Sequence, residues 1–173
     1  STVTYYKIIN EVVREELGGL HSAKILLYSV DFEEIEKYQS DGEWDRAGEV
    51  LAEAAGKLEN AGADYIVICT NTMHKAVPQI EARIGIPVIH IAEATADILL
   101  QSGINRVALL GTKYTMTQDF YKEKLIGAGI EVLIPGEEEI EEINEVIFQE
   151  LCRGIISEAS KQKYLAVIDK LAA

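Results

Sequence analysis

The chain has 173 residues, with 29 acidic and 16 basic side chains, a formal charge of −13 and 48% hydrophobic content. That length can bury a sizeable core as one domain or two small lobes, and the composition is that of a globular protein, not a fibrous or disordered one. So negative a surface repels nucleic acid and anionic membranes, no stretch approaches the ~18 apolar residues of a membrane span, and no signal peptide is expected at the start.

Tyr5, Ile8, Ile9, Val12, Val13 and Leu17 recur at three- and four-residue spacing. They predict a helix with one apolar face, stopped by Gly18-Gly19. Ile25–Tyr28 predicts a strand. Asp31 and Glu34 have capping-box spacing, with Phe32 and Ile35 as buried positions. Residues 43–60 predict a long helix with Trp44, Ala47, Leu51, Ala55 and Leu58 on one face. Ile66-Val67-Ile68 reads as a buried strand ending at Cys69, and a helix is expected over Thr72–Arg83, kinked or split at Pro78. Then come a strand at Val88–Ile91, a helix at Glu93–Gln101 and a strand at Arg106–Leu110. A helix capped by Thr117 and running to Ile126, and a strand at Glu131–Ile134, follow. Glu137, Glu138 and Glu139 read as a solvated helix start. Behind them Ile140, Ile143, Ile147, Phe148 and Leu151 form an apolar face, on which Cys152 is expected to pack. A last helix from Ser157 buries Leu165, Ile168 and Leu171.

This βα alternation predicts an α/β fold with parallel strands flanked by helices. A phrase recurs at the helix ends: Leu58-x-x-Ala61-Gly62, Leu100-x-x-Gly103 and Leu125-x-x-Ala128-Gly129 each feed a strand. Lys170–Ala173 reads as the start of another such passage, and the first helix has no strand ahead of it. The pattern therefore predicts a fold incomplete at both ends, with terminal strands lying outside the chain; the plain alternative is a domain with helices at both ends.

Two strand-end loops carry chemistry. Cys69-Thr70-Asn71-Thr72 brings a thiol, hydroxyls and an amide to the place where an α/β sheet opens into its ligand crevice. A helix starting at Thr72 would favour the Cys69 thiolate through its amide dipoles. The plain alternative is a packed cysteine. The second loop, Gly111-Thr112-Lys113-Tyr114-Thr115-Met116-Thr117, offers hydroxyls and N–H groups for a small carboxylate, with Lys113 able to add charge. Thr112 and Thr115 are equally explained as ligand contacts or local structure. His74 is placed to shape the cysteine loop, His21 to lie at the surface, and His90 to be either a satisfied core histidine or a site residue. Cys69 and Cys152 lack disulfide-scaffold spacing, and with three histidines and no Cys/His cluster no metal site is expected. A reducing, cytoplasmic setting follows. The absence of GxGxxG and P-loop motifs argues against a nucleotide.

Cys69-Thr70-Asn71-Thr72-Met73-His74, preceded by Gly62-Ala63-Asp64, resembles the first catalytic-cysteine motif of the aspartate/glutamate racemase family, and of its bacterial broad-specificity members in particular. Gly18–Ser22, Ser29–Phe32, Leu110–Met116, Asp119–Tyr121 and Ile134-Pro135 carry the same likeness. The resemblance implies two similar lobes, here 1–97 with the Cys69 motif and 98–173 with the Thr112/Thr115 loop, and an active site between them. It further implies cofactor-independent inversion of aspartate or glutamate, in which one cysteine removes the α-proton and a second returns a proton to the opposite face. Cys69 matches the first cysteine. Thr70, Asn71, Thr72, Thr112 and Thr115 match substrate-binding positions. Members of the family open with a strand and glycine-rich loop and carry a later Gly-Cys-Thr-Glu motif. Neither is present in residues 1–173, and Cys152 matches a helix position. The chain is thus expected to supply one of two catalytic cysteines and to racemise poorly alone.

The competing readings are a related cysteine-dependent isomerase or decarboxylase of small dicarboxylates, and a non-catalytic carboxylate-binding protein. The expected partner is a small dicarboxylic amino acid, with no nucleic acid and no membrane. The Tyr5–Leu17 helix and the Trp44 helix are candidate homodimer surfaces.

Overall fold

The structure is a computed structural model that describes residues 1–172, and the chain divides into two compact units, Ser1–Ile89 and His90–Ala173. The first opens with α1 (Thr2–Leu17), whose apolar residues have the expected spacing but none of which is fully buried. Tyr6, Ile8 and Val12 stand exposed.

Residues 18–31 are irregular, so the strand expected over Ile25–Tyr28 does not form. A strand needs a neighbour to take up its N–H and C=O groups, and no described segment pairs with this one. Leu26, Leu27 and Tyr28 are exposed as a result.

Asp31 caps α2 (Phe32–Ser40), its carboxylate accepting from the Glu33 N–H at 3.2 Å. Ile35 enters the core as expected, whereas Phe32, at the helix's first position, remains exposed.

The packing that supports the cysteine loop is helical. In α3 (Trp44–Asn60) the buried residues are Ala47, Gly48, Ala52, Ala54 and Ala55. Small side chains let another helix approach closely. At Gly48 an added Cβ would fall 1.5 Å from the Gln79 Oε1, so only glycine suits that crossing without moving Gln79.

Two parallel strands, β1 (Ile66–Val67) and β2 (Val88–Ile89), pair with Ile66 opposite Val88. Between them the expected Thr72–Arg83 helix is split into a 3-10 turn, Thr72–Ala76, and α4 (Val77–Glu81). Pro78, in the first turn of α4, lacks an N–H and crowds the preceding turn, which accounts for the break. Met73, Ala76, Val77 and Ile80 join Ile35, Ala47, Ala52, Ala55, Ile66 and Ile68 in one core.

The second unit contains α5 (Ile91–Gln101), β3 (Arg106–Ala108), α6 (Lys113–Thr117), α7 (Asp119–Gly127) and β4 (Glu131–Leu133). It continues with α8 (Glu137–Gln149), a 3-10 turn at Leu151–Arg153, and α9 (Glu158–Ala172). β3 and β4 are parallel, and Arg106 opposite Glu131 also forms an ion pair at 3.4 Å. One cluster holds Ala92, Ala96, Tyr121, Leu125 and Ile130. Another holds Met116, Ile140, Ile143 and Val167. Each unit thus pairs parallel strands and covers them with helices, an α/β fold in two lobes.

Three expectations fail here. Thr117 ends α6 instead of capping a helix: its hydroxyl donates to the Lys113 carbonyl at 2.7 Å, and Gln118 precedes α7. α8 stops at Gln149, so Cys152 lies exposed on the following 3-10 turn and not on the apolar face. In α9 the buried residues are Ser160 and Val167, while Leu165 and Ile168 are exposed. The Ser160 hydroxyl donates to the Glu150 carboxylate at 2.8 Å, which anchors that helix through a polar contact the apolar pattern does not reveal. Among the described residues, no helix is long and apolar enough to cross a membrane.

Candidate functional site

The cysteine loop begins where β1 ends. Ile66 and Ile68 point into the core and Val67 does not, the alternation of a strand. Cys69 follows half-buried, its Sγ 4.0 Å from the Val67 carbonyl. Thr70 and Asn71 are exposed, and Thr72, Met73 and His74 then turn inward. The structure brings Cys69, Thr70, Asn71 and Thr72 together as consecutive residues of one turn, with the Thr70 and Asn71 side chains at its outer rim and Thr72 turned inward.

His74 ties this turn down. Its Nδ1 lies 2.8 Å from the Thr70 carbonyl, and its backbone N–H donates to the Asn71 carbonyl at 3.1 Å. Behind it the Gln39 Nε2 donates to the Met73 Sδ at 2.8 Å.

The electrostatics of Cys69 differ from the expectation. Burial pushes its thiol above the ordinary value, and a hydrogen bond from the Thr2 hydroxyl opposes that shift without overcoming it. The expected helix dipole is missing because the turn after Asn71 is a five-residue 3-10 segment with few aligned peptides. Since the thiolate is the reactive form, alkylation of Cys69 should rise with pH along a limb displaced to the alkaline side of an ordinary thiol. Thr2→Val should displace that limb further. A limb at or below the ordinary thiol position, read from iodoacetamide rates against pH, would contradict this balance.

His74 carries a second pH dependence. Burial pushes its pKa down, against the weaker pull of its contacts with Thr70 and Asn71. The unfolded chain protonates this imidazole near about pH 6.5, while the folded chain resists. The stability it contributes is therefore full above that pH and is lost as pH falls toward the folded value. The urea midpoint should drop between pH 7 and pH 5, and part of that drop should vanish in His74→Asn. An identical pH dependence in both proteins would refute the assignment.

In the second unit Thr112 is the cap of α6, its Oγ1 accepting from the Thr115 N–H at 3.3 Å. The two hydroxyls lie 3.1 Å apart. Thr115 is fully buried and Thr112 half-buried. Gly111 is close behind: an added Cβ would meet the Thr115 Cβ at 3.2 Å. Lys113 lies exposed and forms an ion pair with Glu141, while its backbone N–H donates to the Asn144 Oδ1 at 2.9 Å. His90 is buried and caps α5, its Nδ1 accepting from the Ala92 N–H at 3.2 Å.

Among the described residues no three His, Cys, Asp or Glu side chains converge as a metal-ion site. An open depression of about 470 Å³ is lined by Gly42, Glu43, Trp44, Asp45 and Arg46 and includes no residue of either loop. It offers no thiol or hydroxyl cluster, so the chemistry is assigned to the loops.

A half-buried cysteine just past a strand end is thus followed by the exposed hydroxyl of Thr70 and the exposed amide of Asn71. The sequence profile of the Asp/Glu/Hydantoin racemases matches residues 1–173. The chain belongs to the Asp/Glu/Hydantoin racemase family.

A putative Asp/Glu racemase from Yersinia pestis shares 53% sequence identity and superposes with a TM-score of 0.89, over 99% of this chain and 75% of that one. An aspartate racemase homologue from Pyrococcus horikoshii OT3 shares 36% identity with a TM-score of 0.78, over 98% of this chain and 73% of that one. The aspartate racemase of Picrophilus torridus, at 22% identity and a TM-score of 0.70 over 98% and 70% of the two chains, shares the fold. The broad specificity amino-acid racemase RacX of Bacillus subtilis (strain 168) is 30% identical over 89 residues, 51% of this chain and 39% of RacX. The stretch matched therefore spans well under half of that curated relative.

Within this family member, Thr2 and Gln39 are the neighbours of the cysteine loop that sequence reasoning missed. Thr2 reads only as a helix-start residue, and a buried glutamine on an otherwise polar helix leaves no periodic signal.

Proposed function

We propose that this protein inverts the α-carbon of aspartate or glutamate, or both, without a cofactor, with Cys69 as the base on one face. The supporting observation is the position of Cys69, half-buried at the end of β1 and followed by the exposed side chains of Thr70 and Asn71. The α-hydrogen of an amino acid is weakly acidic, so the site must place its base closely and stabilise the charge that develops. In the forward step the Cys69 thiolate takes the α-hydrogen as a proton and becomes a thiol, leaving the electron pair on the substrate carbon. A second thiol then gives its proton to the opposite face and becomes a thiolate. Thr70, Asn71 and Thr72 hold the substrate carboxylate in this reading.

Cys152 is not the second thiol, because it lies on an exposed 3-10 turn and not at a strand end. Residues 1–173 contribute Cys69 in this reading. Working thiols require a reducing setting, which fits the cytoplasm.

One thiol alone can still exchange hydrogen. It removes the α-proton, trades it with solvent and returns a deuteron to the same face. The test is α-hydrogen exchange in D₂O with L-aspartate and L-glutamate separately, with product configuration measured alongside. Exchange by Cys69 is expected with at least one substrate, and inversion where a second thiol is supplied on the opposite face. Absence of exchange with both substrates would overturn Cys69 as the base.

A further inference from the structure

We propose that His74 is a positioning residue that holds the Cys69 loop in its working shape by binding two consecutive carbonyls, Thr70 through Nδ1 and Asn71 through its backbone N–H. The functional part of this inference rests on the reading of Cys69 as the base.

A carbonyl oxygen can only accept, so the 2.8 Å contact requires the proton of a neutral imidazole on Nδ1. His74 is 1% exposed, which shields that bond from competing water. The second bond, from the His74 N–H to the Asn71 carbonyl at 3.1 Å, acts on the next peptide unit. Two successive carbonyls after Cys69 are thereby turned toward one buried residue, while the Thr70 and Asn71 side chains stay exposed. Met73 and Ala76, beside it in the same 3-10 turn, are buried and fix where His74 begins.

The discriminating variants are His74→Asn, whose side-chain amide places a donor near the Nδ1 position, and His74→Leu, which keeps the bulk and removes the donor. The first readout needs no substrate: the pH profile of Cys69 alkylation by iodoacetamide, in a Cys152→Ser background, at temperatures where each variant is folded. His74→Asn should keep the parental profile. His74→Leu should free the loop, expose the thiol, and move the alkaline limb to lower pH with faster alkylation. The second readout is α-hydrogen exchange in D₂O, expected to fall by about 10–100-fold in His74→Leu through misplacement of the base and to be largely restored in His74→Asn. Should His74→Leu not fold, His74→Gln takes its place, since its amide is carried one bond too far to reproduce the contact.

A folded His74→Leu, or His74→Gln in its place, with the parental alkylation profile would overturn the proposal, as would His74→Asn behaving like that variant. The expected alkylation pattern without exchange in any protein would instead sustain the loop role and refute Cys69 as the base.

Discussion

Cys69→Ala is expected to reduce α-hydrogen exchange of aspartate and glutamate by about 10²–10⁴-fold, the range contributed by a positioned general base. Alanine removes the sulfur and leaves the rest of the loop in place. Cys69 is only half-buried, and its Sγ makes a long contact of 4.0 Å to the Val67 carbonyl. Little packing or hydrogen-bond energy is therefore lost, and the melting temperature should stay close to that of the parent. A loss of exchange with unchanged melting separates the chemical role from the bland one, a cysteine that simply packs. Exchange in Cys69→Ala equal to the parent would sink the assignment. Cys152→Ser should leave exchange untouched, because that exposed thiol has no part in the proposed proton transfer.

Ile80→Ala is expected to destabilise the first unit by ~2–5 kcal/mol, the usual cost of emptying a fully buried aliphatic site. Ile80 is 1% exposed and belongs to the core formed by α3, β1, the 3-10 turn and α4. The alanine-lined face of α3 has little side-chain length with which to refill the space, so the cavity term should persist. Urea unfolding should show a lower midpoint with the same slope. A midpoint unchanged from the parent would mean that the α3–α4 packing is not what holds this unit. Since α4 continues directly from the turn bearing His74, exchange at moderate urea should fail in this variant before it fails in the parent.

What the sequence made legible depended on how locally each feature is caused. The turn at Cys69 was readable because a short apolar run followed at once by polar residues marks the end of a buried strand. The break at Pro78 was readable because proline acts on its own turn. The strand at Ile25–Tyr28 was misread because its composition says only that it would suit a sheet, whereas a ladder requires a partner that no local pattern reports. Thr117 reads as a cap in the sequence and Thr112 proves to be one for a related reason: a difference of about one turn in where the helix begins decides which hydroxyl meets an orphan N–H. The raised pKa of Cys69 was illegible because the sign depends on burial against dipole. The dipole had been credited to a helix that proves to be a short 3-10 turn. Thr2 reaches Cys69 across 67 positions of sequence (69 − 2), and no periodicity carries that information.

The irregular stretch before α2 bears on how this protein behaves when concentrated. Lys24-Ile25-Leu26-Leu27-Tyr28-Ser29-Val30 combines strong β propensity with low charge and no proline, and it leaves Leu26, Leu27 and Tyr28 open to solvent. Such a segment is a template for edge-to-edge association. Mutual repulsion between molecules carrying a charge of −13 opposes that association at neutral pH. That protection weakens in high salt and disappears near pH 4.6, where the chain is isoelectric. Colloidal stability is thus set by the acidic surface acting on a sticky segment that carries no thiol, so acid precipitation requires no chemical change at Cys69.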